Sequence, residues 1–183
     1  MQVAAALQSE KKRLSTQVVS RFSKKALEKI FELQSLLPEE LRYNRKQIAA
    51  YLRDKQNVHL FLYNGSKLIG YIFGQPHNDV VKALKKDDPL MTEDSACYYV
   101  DQVIIAPTGR VAKSCLIALA AFFGELNRRG CYRYSAHVLT VNGFDKYIEM
   151  MLCKILIQKR TTRLPSFGNY TYVYMEAEGV FRA

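Results

Sequence analysis

The segment from Tyr98 to Ser114 constrains the fold of this chain more than any other. A run of β-branched and aromatic residues stops at Pro107, a short turn with Gly109 and Arg110 follows, and an apolar-periodic helix then begins. The first amides of such a helix have no partner within the helix, and the helix dipole favours negative charge there. The segment therefore predicts an anion site, and a ligand that carries phosphate groups suits it.

Length and composition predict one globular domain. The chain has 183 residues, of which 49% are hydrophobic and 24% charged, which is enough to bury a core. We expect a flexible basic arm over residues 1–14 and a single domain over residues 15–183. No apolar run reaches the roughly 20 residues that span a bilayer, and the start does not resemble a signal peptide. These features predict a cytoplasmic protein without a membrane segment, with an organellar import segment as the alternative.

The formal net charge of +10 favours an anionic partner, whether a phosphate-bearing ligand, a nucleic acid or an acidic protein. Five tyrosines near basic residues could stack on single-stranded nucleic acid, but packing of half-buried strand tyrosines explains the pattern more simply. They are Tyr132, Tyr134, Tyr170, Tyr172 and Tyr174, close to Lys159, Arg160 and Arg163. Nucleic-acid binding is therefore an alternative that we do not favour.

The cysteines and histidines do not have the spacing of metal ligands. The four cysteines form no CxxC pair, and a cysteine at an apolar helix position usually acts as a small hydrophobe. His59, His77 and His137 lie on separate predicted elements, so each is interpreted as a structural histidine. We expect no metal and no nucleophilic cysteine.

Apolar periodicity and turn signals predict a mixed α/β sheet with crossover helices. Ser23 and the Asn44–Gln47 pair are predicted to cap the first two helices, and Asn64-Gly65 is predicted to turn a hairpin. The polar stretch 74–96 is a long loop or contains a short helix near Val80–Leu84. The predicted order is a strand, two helices, a hairpin, a strand, a helix, a strand, a helix and a closing pair of strands.

At this point the chain resembles the GNAT superfamily of N-acetyltransferases, over about Leu37 to Tyr174. The resemblance rests on Leu68-Ile69-Gly70-Tyr71 in the hairpin, on Val103-Ile104-Ile105-Ala106-Pro107 before the turn, and on Asn142 opening a later helix. It implies a mixed, mostly antiparallel sheet and the use of acetyl-CoA.

In that family a Gln/Arg-x-x-Gly-x-Gly/Ala loop binds the pyrophosphate of acetyl-CoA through backbone amides. Arg110 fits the first position of this loop, while Lys113 and Cys115 stand where the two glycines are expected. A lysine could place its ammonium on the same anion, or the lost glycines could weaken the site. The resemblance thus implies a phosphate site made of Arg110, Val111, Ala112, Lys113, Ser114 and Cys115.

The resemblance also implies roles in acyl transfer. Backbone groups of Val103 and Ile105 would hold the pantetheine arm. Strand alternation places Tyr99, Asp101, Val103 and Ile105 on one face, where Asp101 is the candidate general base or a carboxylate that only pairs at the strand start. Tyr147 is the candidate acid or a packed core tyrosine. Asn142 is a helix cap, with a contact to the pantetheine or substrate region as its second role.

The sequence therefore predicts an N-acyltransferase that uses acetyl-CoA and acts on a primary amine, carried by a small molecule or a protein. The alternative is a catalytically degenerate binding module of the same fold that engages nucleic acid or an acidic protein through its basic surface. The acidic residues Asp87, Asp88, Glu93 and Asp94 could attract a cationic amine, but a solvated acidic loop is the simpler interpretation. The resemblance also leaves a homodimer open.

Overall fold

The computed structural model describes residues 14–19, 22–107, 111–140, 143–152, 155–168 and 170–180. The predicted arm lies outside these residues except for Leu14, which already belongs to the first strand. The strands are β1 Leu14–Val18, β2 Val58–Asn64, β3 Lys67–Pro76, β4 Cys97–Ile105, β5 Arg133–Leu139, β6 Leu156–Arg163 and β7 Thr171–Glu178. The helices are α1 Lys24–Gln34, α2 Arg45–Arg53, α3 His77–Leu84, α4 Val111–Arg128 and α5 Phe144–Leu152.

Local sequence signals set the ends of the early elements as predicted. The Ser23 side chain accepts a hydrogen bond from the Ala26 amide at 3.1 Å and caps α1. Asn44 and Gln47 form the predicted capping box of α2. Gly65 has a φ of 61° in the β2–β3 turn, a backbone conformation that glycine adopts without strain. Within the polar stretch, α3 confirms the second alternative, a short helix, which begins at His77 and not at Val80.

The seven strands form one sheet in the order β1-β2-β3-β4-β5-β7-β6. Every pairing is antiparallel except β4 with β5, so the predicted mixed, mostly antiparallel sheet is confirmed. A parallel pair needs a long crossover, and α4 supplies it between β4 and β5. This crossover joins the end of β4 to the start of β5, so the two strands run in the same direction.

Helices cover both faces of the sheet. On one face α4 and α5 pack on the side chains of Leu60, Leu62, Ile72, Val100, Val138 and Val173. On the other face α1 and α2 pack on Phe61, Tyr71, Phe73 and Ile104, and α3 packs on Tyr99 and Tyr174. Both faces of the central strands are therefore buried, which explains their nearly continuous apolar sequences.

A β-bulge in β4 corrects the predicted alternation of its side chains. Gln102 pairs with Phe73 and Val100 pairs with Gly74, so Asp101 is an extra residue in the ladder. Val103 and Ile105 consequently pack on the α4 face, whereas Tyr99 and Asp101 face the α1–α3 side. The prediction that all four share one face is wrong, because strict alternation holds only for a strand without a bulge.

Gly74 permits the close packing of α4 on the sheet, and we expect its replacement to destabilise the fold. A Cβ at this position would lie 2.4 Å from Cζ of the fully buried Phe122. Gly74→Ala should lower the free energy of unfolding by about 1–3 kcal/mol, as overpacking does. Gly124 in α4 is the matched control, because a Cβ there meets nothing within 4 Å. Gly124→Ala should raise stability by about 1 kcal/mol.

Urea unfolding followed by far-ultraviolet circular dichroism measures both changes. Equal stabilities for Gly74→Ala and the wild type would mean that the Phe122 ring can turn aside at no cost.

Within the described part of the chain, no helix is both long and apolar enough to cross a membrane.

Candidate active site

β4 and β5 separate in the middle of the sheet. Their parallel register covers Cys97–Tyr99 and Arg133–Ser135, yet β4 continues to Ile105 and β5 to Leu139. Beyond the Tyr99–Ser135 pair the two strands are neighbours without ladder pairing. A wedge-shaped gap therefore opens between them, directed toward the start of α4.

The peptide groups of Val103 and Ile105 face this gap. The Ala106 amide donates to the Ile69 carbonyl at 2.7 Å, so the peptide groups of Ala106 point toward β3. Ile105 pairs with Gly70 and Val103 with Ile72, and peptide groups of alternate residues in a strand point to opposite sides. The N–H and C=O groups of Val103 and Ile105 are thus directed toward β5, where a ligand that lies in the gap could bond them.

A cavity of about 310 Å³ lies at the gap and is lined from both faces of the sheet. The α4–α5 face contributes Leu119, Phe123, Phe144, Ile148, Met151 and Leu152. The opposite face contributes Leu37, Leu41, Tyr43, Val80, Leu84 and Phe167, together with Tyr99, Asp101 and His137 from the sheet. This apolar lining with a few polar groups is typical of a small-molecule site.

Asp101 is the carboxylate that the β4 bulge brings to this cavity. Tyr43, from the segment before α2, donates its hydroxyl proton to Asp101 Oδ2 at 2.7 Å. Burial raises the pKa of Asp101 to about 6, although the bond from Tyr43 opposes the rise. At neutral pH the group is therefore mostly ionised and close to its pKa, which suits a general base.

A buried amide network fixes the segment that carries Tyr43. Gln34 Nε2 donates to Gln102 Oε1 at 2.8 Å, and Gln34 Oε1 accepts from the Tyr43 amide at 2.8 Å. Gln102 Nε2 donates to the Leu41 carbonyl at 3.0 Å, and the Tyr71 hydroxyl also joins the network. These bonds tie the α1–α2 connection to β4, so Tyr43 is held beside Asp101. Sequence reasoning missed this network, since its members are far apart along the chain.

The predicted phosphate turn lies partly outside the described residues. Arg110 and Asn142 are not described, and Val111 is described only as part of the α4 backbone. Ala112 and Lys113 are exposed in the first turn of α4. Ser114 is fully buried, and its hydroxyl oxygen has no hydrogen-bond partner among the described residues. Cys115 is buried, which raises the pKa of its thiol to about 11 and keeps it protonated.

Tyr147 lies against the start of α4. Its hydroxyl donates to the Ala112 carbonyl at 3.2 Å, and its ring stacks on Phe144 with the centroids 6.3 Å apart. Phe144 lines the cavity, whereas Tyr147 is not among the described residues of its lining. The structure thus brings Tyr147 to the predicted phosphate turn and not to Asp101.

His137 and Asp88 form a buried pair beside the cavity, which the sequence interpretation missed. His137 Nε2 lies 2.8 Å from Asp88 Oδ2, and the two side chains are 2% and 1% exposed. The interpretation of residues 87–94 as a solvated acidic loop is therefore wrong for Asp88, because a cation and a histidine from distant strands neutralise it. Asp-Asp-Pro is a common turn sequence and gives no signal for such burial.

The other two histidines differ from each other. His77 bonds Ser135 and the Thr92 carbonyl through its two ring nitrogens, at 2.7 and 3.0 Å, so it is a structural histidine as predicted. His59 is 3% exposed and has no hydrogen-bond partner among the described residues. It packs instead against the rings of Tyr51 and Phe73. No cluster of three or more metal-ligating side chains occurs in the described ranges.

Three of the five tyrosines pack in the core, as the favoured interpretation predicted, whereas Tyr132 is 46% exposed and Tyr170 is half-buried. Tyr134, Tyr172 and Tyr174 are 2–4% exposed. The Arg160 guanidinium lies 4.5 Å from the centroid of the Tyr174 ring and also pairs with Asp88. These three rings and this cation are therefore occupied within the protein, which removes most of the predicted stacking surface and leaves Tyr132 as its exposed ring.

Solved structures share this architecture. No family profile and no curated protein sequence matches the chain. The ribosomal-protein-S18-alanine N-acetyltransferase from Escherichia coli superimposes with a TM-score of 0.63 and 10% identity, covering 93% of this chain and 96% of that one. The aminoglycoside 6'-N-acetyltransferase from Enterococcus faecium superimposes with a TM-score of 0.66 and 10% identity, covering 92% of this chain and 99% of that one. The PaiA N-acetyltransferase from Thermoplasma acidophilum, solved with coenzyme A, superimposes with a TM-score of 0.60 and 14% identity. The match covers 90% of this chain and 99% of that one. The chain therefore has the fold of the GNAT N-acetyltransferases.

Proposed function

We propose that this protein is an acetyl-CoA-dependent N-acetyltransferase that acts on a primary amine. The observation that carries the proposal is the cavity at the gap between β4 and β5, lined from both faces of the sheet and containing Asp101. Such a cavity allows a donor and an acceptor to meet from opposite faces. The cytoplasmic location and a homodimer remain predictions of the same hypothesis.

The donor side of the cavity suits a pantetheine arm and phosphates. The peptide groups of Val103 and Ile105, which point away from β3, offer amide and carbonyl partners along the gap. The first turn of α4 offers helix N-terminal amides, the exposed Lys113 and the buried Ser114 hydroxyl, which has no partner within the described ranges. Together with Arg110 and Cys115, these residues would hold the pyrophosphate, and Asn142 would contact the arm.

On the acceptor side Asp101 serves as the general base. Acetyl-CoA supplies an acetyl group activated as a thioester. Asp101 accepts a proton from the amine as the nitrogen bonds the acetyl carbon, and Tyr43 holds the carboxylate in place. The departing thiolate needs a proton. Tyr147 is the donor predicted from the sequence, but its hydroxyl donates to the Ala112 carbonyl outside the described cavity lining, so solvent is the better source.

Calorimetric titration with acetyl-CoA and with CoA tests the donor site. We expect the wild type to bind both ligands and Lys113→Glu to bind at least 10-fold more weakly, because a carboxylate would face the phosphates. Lys46→Glu is the matched control, since Lys46 is an exposed lysine of α2 on the other face of the sheet. This variant has the same net charge and should bind within about twofold of the wild type.

No binding to the wild type at millimolar ligand would overturn the proposal. Equal losses in both variants would mean that net charge, and not the turn, controls binding. If the protein does not bind CoA but binds RNA with an affinity that falls steeply as the salt concentration rises, it is the degenerate binding module instead.

A further inference from the structure

A chain of four polar side chains runs from the cavity wall to β6. The Tyr99 hydroxyl lies 2.9 Å from His137 Nδ1, and His137 Nε2 lies 2.8 Å from Asp88 Oδ2. Arg160 Nη2 donates to the same Asp88 oxygen at 2.5 Å. Tyr99 and His137 both line the cavity, whereas Asp88 and Arg160 lie behind them. The acyl-transfer mechanism described above uses none of these four groups.

The groups at each end of this series of four side chains determine the direction of every hydrogen bond within it. Burial opposes ionisation of Asp88, but the bonds from Arg160 and His137 outweigh it and lower the pKa of this carboxyl. An ionised carboxylate can only accept, so His137 Nε2 carries a proton and donates it. Burial lowers the pKa of His137, which leaves the ring neutral and Nδ1 without a proton. Tyr99 must therefore donate its hydroxyl proton to Nδ1.

Tyr99 lines the cavity, and because its hydroxyl proton is bonded to His137 it can only accept a hydrogen bond from a ligand there. Its oxygen also receives a weak bond from the His137 amide at 3.4 Å, and a tyrosine oxygen can accept more than one hydrogen bond. Asp101 follows two residues later on the same side of the sheet and lines the same cavity. Asp101 and Tyr99 therefore offer this cavity one charged and one neutral acceptor from the same strand, apart from the exposed Asp79 carboxylate of α3.

We propose that Tyr99 is the second amine-binding group of this site, held as an acceptor by the positioning residues His137 and Asp88, and that it restricts the acceptor to primary amines. The inference rests on the proposed function. A neutral primary amine has two N–H groups, one for Asp101 and one for Tyr99, and its lone pair remains free to attack the acetyl carbon. A secondary amine has one N–H and leaves one of the two acceptors unpaired, which costs binding energy.

Paired substrates test this assignment. Acetylation is measured as release of the CoA thiol with two acceptors, benzylamine and N-methylbenzylamine, whose ring suits the apolar lining of the cavity. If benzylamine is a poor substrate, the best primary amine of a screen and its N-methyl derivative replace this pair. The wild type should prefer the primary amine by at least 10-fold in kcat/KM. Tyr99→Phe should lower kcat/KM about 10-fold for the primary amine and little for the N-methyl amine, so the variant should no longer prefer the primary amine.

Three further variants separate positioning from simple packing. Tyr172→Phe removes another buried tyrosine hydroxyl of the same cavity lining and should keep the wild-type preference. His137→Leu should lose the preference as Tyr99→Phe does. His137→Asn should retain most of the preference for the primary amine, because the amide oxygen of the asparagine can take the place of Nδ1 as the acceptor for the Tyr99 hydroxyl. A preference in Tyr99→Phe within twofold of the wild-type value would overturn the inference while leaving the acetyltransferase intact.

The histidine tautomer gives a second test that needs no variant. Nitrogen-15 NMR of the wild-type protein should show His137 as the neutral tautomer protonated at Nε2. A proton at Nδ1 would overturn the inference, because Tyr99 would then have to accept from the ring and point its own proton elsewhere. Absence of CoA binding and of thiol release with every amine would overturn the proposed function as well, so the two failures are distinguishable.

Discussion

Asp101→Asn should lower kcat/KM for the acceptor amine by roughly 100- to 1000-fold, which is the contribution of a well-placed general base. The amide keeps the size of the carboxylate and can still accept from Tyr43, but it cannot take up the amine proton. We expect the wild-type rate to rise with pH through about 6, since burial raises the pKa of Asp101 to this value and only the ionised form is active. The variant should lack this inflection.

The measurement uses an acceptor whose own pKa lies well below 6, such as a hydrazide, so that its titration does not enter the profile. Asp79→Asn is the matched control, because Asp79 is an exposed carboxylate that lines the same cavity. This control should remain within about twofold of the wild type and keep the inflection. A profile for Asp101→Asn that still rises through pH 6 would assign the base to another group.

The second large effect concerns the stability of the fold in acid. His59 is buried against the rings of Tyr51 and Phe73, and burial lowers its pKa from 6.5 to about 4. Between these two values the unfolded chain binds a proton that the folded chain does not, so stability falls as the pH falls from 6.5 to 4. Below pH 4 both states are protonated and the loss is complete, at about 3 kcal/mol for this single group.

His59→Leu should therefore lose less stability between pH 7 and pH 4 than the wild type, by about 3 kcal/mol. Urea unfolding at a series of pH values gives the two curves. Phe61→Leu is the control, because Phe61 is an equally buried residue of the same strand that does not titrate. It should lower stability by a similar amount at every pH. Parallel curves for the wild type and His59→Leu would show that His59 finds a proton partner in the folded state.

Local chemistry in the sequence determined where most elements of this protein begin and turn. The hydroxyl of Ser23, the Asn44–Gln47 pair and Gly65 act on amides and dihedral angles within a few residues, so their effects do not depend on the rest of the fold. The strand before Pro107 and the helix after it likewise indicated where a crossover belongs. Asp101 was a candidate base because strand alternation placed it on the face of Val103 and Ile105, and the β4 bulge puts it on the other face of the sheet.

Tertiary structure decided the chemistry of the cavity. The β4 bulge, which turns Asp101 toward Tyr43, exists only in the register with β3. Asp88 meets His137 across 49 residues of sequence and Arg160 across 72, so neither the charge of Asp88 nor the tautomer of His137 follows from its neighbours in the chain. A pKa and a hydrogen-bond direction depend on which groups surround an atom and exclude water from it. The sequence by itself determined the elements and their order, and the packing of those elements decided what each polar group can do.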